Sequence, residues 1–203
     1  MRWLKIAPEN MKNTAIKNFI NVGIFATLYI LIFWSIGILG YIPTLLFVLS
    51  FFIAIANSIP LFLFFNKIDR FGMVSLFGLV IGFFMFVTGH TWLAPMSALF
   101  CGLIADIILW GGKTRSFKRQ MLANCAISII PSCMALPMWI MRNSYFAHIA
   151  EMCSESYLIT LRENTSTYWP LVISISVGIL GAILGSLLGK RALKRHFERA
   201  GLI

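Results

Sequence analysis

Acidic side chains are the scarcest chemistry in this chain: seven Asp and Glu stand among 203 residues, against 17 Lys and Arg. Charge of either sign is thin, at 12% of residues, where soluble domains carry about a quarter. With 59% hydrophobic residues and a mean hydropathy of +0.86, that scarcity excludes a soluble domain and defines an integral membrane protein. Cys101, Cys125, Cys133 and Cys153 form no CxxC pair, and three of them fall inside apolar runs, where cysteine acts as a small hydrophobe. No metal centre is therefore expected. A GxxxxGK[ST] phosphate loop is also missing, so this chain is not expected to hydrolyse ATP. No Ser/Gly-rich or Pro-rich linker and no clear internal repeat divides the sequence, which reads as a single domain over residues 1–203. The first apolar run is too long for a signal-peptide core, and no small-x-small cleavage site follows it; it is expected to remain in the mature protein.

What is present is a set of apolar runs long enough to cross a bilayer core of roughly 30 Å, which takes about 20 helical residues. Six spans are expected, over residues 16–39, 41–65, 73–88, 91–110, 121–141 and 169–188, with a long connection at 142–168. All six should be helices, because an open strand would leave backbone groups unpaired in lipid. Of the 17 basic residues, all but Arg142 and Arg162 fall before or at the start of the first span, at Lys67 and Arg70, at Lys113 to Arg119, or from Lys190 onward. Cytoplasmic loops retain Lys and Arg while short translocated loops lack them, so both termini should be cytoplasmic. The net charge of +10 does not imply nucleic acid, because the basic residues border span ends beside anionic lipid headgroups and form no stripe with interleaved aromatics.

Asp106 is the only acid inside a predicted span. It lies about one turn from the inner end of that span, so a structural role, paired with Arg70, Lys113 or Lys118, is expected ahead of a proton or cation site. His90 begins the same span sixteen residues away, or some 24 Å at about 1.5 Å per residue, which excludes a catalytic dyad. No other pair of reactive groups shares one depth, which argues against an intramembrane enzyme. Small residues recur at four-residue spacing and allow helices to approach closely. The ridges are Gly181, Gly185 and Gly189; Ser174, Gly178, Ala182 and Ser186; Ala94, Ala98 and Gly102; Ser50, Ala54 and Ser58; and Gly23 and Thr27 beside Ala26. Such faces serve packing within the bundle or against a membrane partner.

Aromatic, His and Met side chains gather at the outer span ends, among them Trp34, Tyr41, His90, Trp92, Met96, Met138, Trp139, Tyr145 and Trp169. An interfacial belt explains Trp and Tyr there, but not Arg142 and His148 in the same neighbourhood. Within residues 142–168, Phe146, Ile149, Cys153, Tyr157 and Leu161 recur at helical spacing, which predicts an amphipathic helix lying over the outer mouth.

Several segments carry a family resemblance: Ile20 to Tyr29, Leu39-Gly40-Tyr41-Ile42-Pro43, Arg70-Phe71-Gly72, Thr88-Gly89-His90, Gly102-Leu103-Ile104-Ala105-Asp106, Met141 to Ala147, and Gly185 to Gly189 followed by Leu193 to Gly201. Together they resemble the MptD or Trep_Strep family of energy-coupling factor transporter S components. The resemblance implies an all-helical six-span bundle that is the substrate-capture subunit of a prokaryotic ABC importer. It would have no intrinsic cofactor, and its partners would be a transmembrane coupling subunit and two cytoplasmic ATPases that use the ATP. Such subunits bind a micronutrient near the outer face and are thought to topple in the membrane to release it. They typically dock through an AxxxA patch on the first helix; this chain offers Gly23-xxx-Thr27 flanking Ala26, and elsewhere Ala94-xxx-Ala98, as docking candidates.

On that reading the ligand site is expected from Tyr41, His90, Trp92, Met96, Trp139, Arg142, Tyr145 and His148. The aromatics would stack on a flat ring, Arg142 would meet a carboxylate or phosphate, and a histidine would hydrogen-bond or ligate a metal. A vitamin, a cofactor, a tetrapyrrole or a metal chelate fits this content. The rival is a stand-alone secondary transporter or channel, which would normally show paired ionisable residues at mid-membrane or an inverted repeat. A structural scaffold would have no enclosed pocket.

Overall fold

The computed structural model describes residues 8–111 and 116–199, with side chains placed between residues 14 and 191. Arg2, Lys5, Lys12, Lys113, Arg115 and the Leu193 to Gly201 segment thus fall outside the described residues or side chains. The described residues form ten helices: α1 (Pro8–Gly37), α2 (Leu49–Lys67), α3 (Met73–Val87), α4 (Leu93–Trp110), α5 (Phe117–Ile127), α6 (Ile130–Met134), α7 (Pro137–Ile140), α8 (Arg142–Ala150), α9 (Glu155–Asn164) and α10 (Trp169–Arg199). Five stretches are long and apolar enough to cross a membrane: Thr14–Tyr41, Leu49–Lys67, Leu93–Trp110, Phe117–Ile140 and Trp169–Arg191. At 15 residues α3 is shorter, reaching about 22 Å, although its buried Val74, Phe77, Ile81 and Met85 place it inside the bundle.

Two boundaries differ from the sequence reading. The second span begins at Leu49 and not at Tyr41, because the chain leaves α1 through a tight helical turn at Ile38–Tyr41 and a run of turns through Pro43 before regular helix resumes. The fifth span is broken into α5, α6 and α7, with Pro131 and Pro137 at the starts of the last two pieces. Proline lacks the N–H that a continuous helix would use and is tolerated in a first turn.

Glycine sets the two closest helix pairs, α3 with α4 and α2 with α10. A Cβ added at Gly102 would lie 2.7 Å from the Val74 carbonyl oxygen and 2.8 Å from Ser75 Cα, so α3 and α4 pack backbone to backbone. Ala98 and Ala94 oppose Gly78 and Gly82 in the same antiparallel register. A Cβ on Gly185 would lie 2.7 Å from Ser58 Cβ and 2.9 Å from Ile55 Cα, and Gly181 approaches Phe51 in the same way. The small-residue ridges of α4 and α10 are therefore used within the bundle. On α1 the division is different: Ala26 is buried, while Gly23 and Thr27 lie on the outer surface, and a Cβ at Gly23 would meet nothing within 4 Å.

Polar groups inside the bundle are bonded across the helices in layers. The Ser50 hydroxyl donates to the Ser174 carbonyl at 2.7 Å, and Ser132 and Ser174 hydroxyls lie 2.9 Å apart. Further along, the Asn124 amide donates to Ser58 Oγ at 2.8 Å and Ser186 Oγ at 3.0 Å, and Gln120 donates to Asn66 Oδ1 at 2.8 Å. Burying a polar group without a partner is costly, so these bonds fix the register of α2, α5 and α10.

Asp106 is fully buried and is held by the start of α3. Its carboxylate accepts the Ser75 N–H at 2.7 Å, the Ser75 hydroxyl at 2.6 Å and the Val74 N–H at 3.3 Å. The sequence pointed to Arg70, Lys113 or Lys118 as its partner, of which Lys113 lies outside the described residues; the contacts seen are with the positive end of a neighbouring helix, whose first N–H groups have no partner within that helix. Gly72, at φ 88°, makes the left-handed turn that points those groups at α4.

Candidate ligand-binding site

A cavity of about 780 Å³ opens at the end of the bundle remote from Lys67. Its walls are the last turns of α1, the start of α2, the α3–α4 turn and the α6–α7 break. The floor is Ser50 and Ser174, the last layer of the polar seam. The cover is α8 and α9, which carry a second apolar cluster of Phe146 and Leu161 packed on Phe47 and Met138. The cavity lies between that cluster and the main core, so the cover is held by its own contacts.

Where the sequence predicts one amphipathic helix over residues 142–168, the chain forms two helices beside the cavity, with a corner at Glu151–Ser154. The spacing that suggested one continuous helix is split there: Phe146 and Leu161 are buried, whereas Cys153 is exposed at the corner and lines the cavity. One hydrogen bond ties α9 across the mouth, from the Tyr157 hydroxyl to the Gly40 carbonyl at 3.0 Å.

Of the eight residues expected at the site, Tyr41, His90, Tyr145 and His148 line the cavity. Tyr41 is 81% exposed and forms its rim. His90 follows Gly89, whose φ of 102° turns the chain between α3 and α4. Burial holds the His90 imidazole below its ordinary range, with the Met85 carbonyl pulling weakly the other way, and its Nδ1 is buried without a partner. Burial also pushes the Tyr145 phenol up to about 12, so it remains a hydrogen-bond donor.

The other four do not line the cavity. Trp92 and Met96 are 53% and 62% exposed on the outside of the bundle. Trp139 packs on Phe47 and donates its indole N–H to the Thr167 carbonyl at 2.8 Å. Arg142 donates to the Thr165 carbonyl at 2.6 Å and the Arg162 carbonyl at 2.9 Å, with its guanidinium 5.2 Å from the Phe146 ring centre. Those carbonyls end α9, where a cation pairs with the negative end of the helix. Arg142 thus clamps one lid helix to the other.

Phe33, Trp34, Met134, Met138, Met141 and Tyr157 line the cavity without having been assigned to it. For Tyr157 the amphipathic spacing of the loop was a usable signal. Met134, Met138 and Met141 stand at i, i+4 and i+7, so their common face was a usable signal as well.

The fold and this cavity define a multi-pass α-helical membrane protein with a partly covered, ligand-sized pocket. A family model described as a hypothetical bacterial integral membrane protein (Trep_Strep) matches residues 16–199, and the chain belongs to that family. No curated protein and no solved structure matches it.

Proposed function

We propose that this chain is the substrate-capture S component of an energy-coupling factor importer in a prokaryotic cell membrane. The observation that carries the reading is the covered cavity of about 780 Å³, a size suited to a vitamin, cofactor, tetrapyrrole or metal chelate. The family-like segments point the same way, since Gly40-Tyr41 and Thr88-Gly89-His90 lie at the cavity. With α3 counted as a crossing, six spans put both termini at the end that bears Lys67 and Arg70, which the charge bias makes cytoplasmic. The lid then faces outward. A thin bilayer or tilted neighbours would accommodate the short α3.

Transport energy comes from two ATPases joined through a coupling subunit, and the chain itself is not an enzyme. Its exposed α1 face, with Gly23 and Thr27 among Ile20, Ile24 and Leu31, is the docking surface that remains available. Ala94 and Ala98 are occupied by α3. One observation favours the rival of a stand-alone transporter or channel, namely the polar seam from Ser50 to Gln120, but its hydroxyls and amide N–H groups are bonded across packed helices, with Asn124 Oδ1 left without a partner. Affinity purification from the native membrane is expected to bring a coupling subunit and two ATPases, with uptake requiring ATP. Uptake by the purified chain alone in liposomes would assign it to the rival class.

A further inference from the structure

We infer that the cavity selects a neutral, ring-bearing ligand and excludes anions; this rests on the reading of the cavity as the capture site. Among the described residues, none of those lining it is Lys, Arg, Asp or Glu. The nearest cation in sequence, Arg142, is committed to the carbonyls that end α9 and to the face of Phe146, and it stands outside the lining. Arg162 is likewise set over Phe146, its guanidinium 5.1 Å from the ring centre.

His90 cannot supply the missing charge. Its Nδ1 is buried without a partner, and burial disfavours the imidazolium more than the Met85 carbonyl favours it. His148 is exposed, so any charge it carries is shared with water. An anion bound against these walls would lose part of its hydration without gaining a counter-ion, which is the unfavourable half of ion burial. The dipole at the start of α4 is too weak to replace one.

What the walls do offer is ring faces and polarisable thioethers. Phe33, Trp34 and Tyr145 present aromatic surface, and Met134, Met138 and Met141 conform to irregular apolar shapes. Ser144 in the lid is a neutral hydrogen-bonding group, and Ser50 and Ser174 on the floor, already bonded within the seam, keep only spare acceptor capacity for a ligand.

The test uses the full chain in lipid nanodiscs at pH 8, where free histidine is neutral. The probes are N-phenylnaphthylamine and the same skeleton bearing one sulfonate, anilinonaphthalene sulfonate, with bound probe counted by native mass spectrometry. The neutral probe is expected to give a one-to-one adduct at a concentration at least about tenfold lower than the sulfonate, equivalent to about 1.4 kcal/mol. Ala135→Phe, which fills the cavity, should remove that adduct, and Met141→Lys, which adds a cation to the wall, should shift the preference toward the sulfonate. Equal or tighter binding of the sulfonate that Ala135→Phe also removes would overturn the neutral class while leaving the cavity as the site. If no adduct of either probe responds to Ala135→Phe, the capture site itself is misplaced and the inference falls with it.

Discussion

Removing the Asp106 side chain is the sharpest test of how this bundle is held. The carboxylate receives three hydrogen bonds from the start of α3, at 2.6, 2.7 and 3.3 Å. Bonds to a charged group contribute about 1.5–3 kcal/mol each, so their gross value is roughly 5–9 kcal/mol. Against this, the substitution removes the cost of keeping a carboxylate fully buried, which is several kcal/mol. The Val74 and Ser75 N–H groups would be left without acceptors in a region closed to water. The net loss for Asp106→Ala is expected to be about 2–4 kcal/mol. Asp106→Asn keeps the shape and one acceptor oxygen but turns an NH2 group toward other donors; about 1–2 kcal/mol is expected. Thermal unfolding in detergent can be followed with a thiol-reactive dye, because Cys101 is only 4% exposed on the same helix. For a chain of this size the Ala variant should unfold roughly 4–16 °C lower. An unchanged Tm would refute the structural role. An unchanged Tm together with loss of transport would instead make Asp106 part of the transport chemistry.

The glycine contacts predict opposite signs at similar residues. Gly185→Ala should destabilise by about 1–3 kcal/mol through overpacking on Ser58 and Ile55, whereas Gly23→Ala, with open space around it, should be neutral or stabilising by up to about 1 kcal/mol. Measured Tm values check both, and, for the proposed coupling subunit, loss of binding by Gly23→Leu without a Tm change would support docking on the α1 face. Arg142→Ala should cost about 1–3 kcal/mol and speed proteolysis within the α8–α9 lid, with Arg142→Lys recovering only part because a single ammonium cannot span both carbonyls. For His90, the depressed folded-state value means that the unfolded chain takes up a proton first as pH falls. Stability contributed at pH 7 is therefore lost below about pH 6.5, and the loss ends once pH passes the lower folded-state value. Tm at pH 5.5 should fall relative to pH 7.5 by more in the natural chain than in His90→Gln; an equal fall in both would place the pH sensitivity elsewhere.

How much could be read without coordinates follows from the range of the forces involved. Burial in lipid acts on whole segments, so hydropathy alone located five of the six expected spans as helices long and apolar enough to cross, and α3 as a shorter apolar helix. The same one-dimensional signal identified the small-residue ridges and the apolar spacing of residues 142–168. Arg142 shows where that reasoning ended. Its type and position suggested an anion site, yet whether a guanidinium meets a ligand or the end of a neighbouring helix depends on where the α9 carbonyls lie, 20 residues further on. Asp106 ended in the same way: its burial was legible, but its partner was a helix end exposed by the turn at Gly72.

By itself the sequence determined that this is a helical membrane protein, that several of its stretches are long and apolar enough to cross, and which residue types gather at the lid end. Those properties depend on composition and local periodicity. Only the tertiary structure decided that the Ala94–Ala98 and Gly181–Gly185 ridges are used within the bundle and that the lid is two helices with a corner. It also decided that the cavity they cover has no charged side chain on its described walls. The physical reason is that hydrogen bonds and close packing act over a few ångströms, between residues whose separation along the chain places no limit on their distance in the fold.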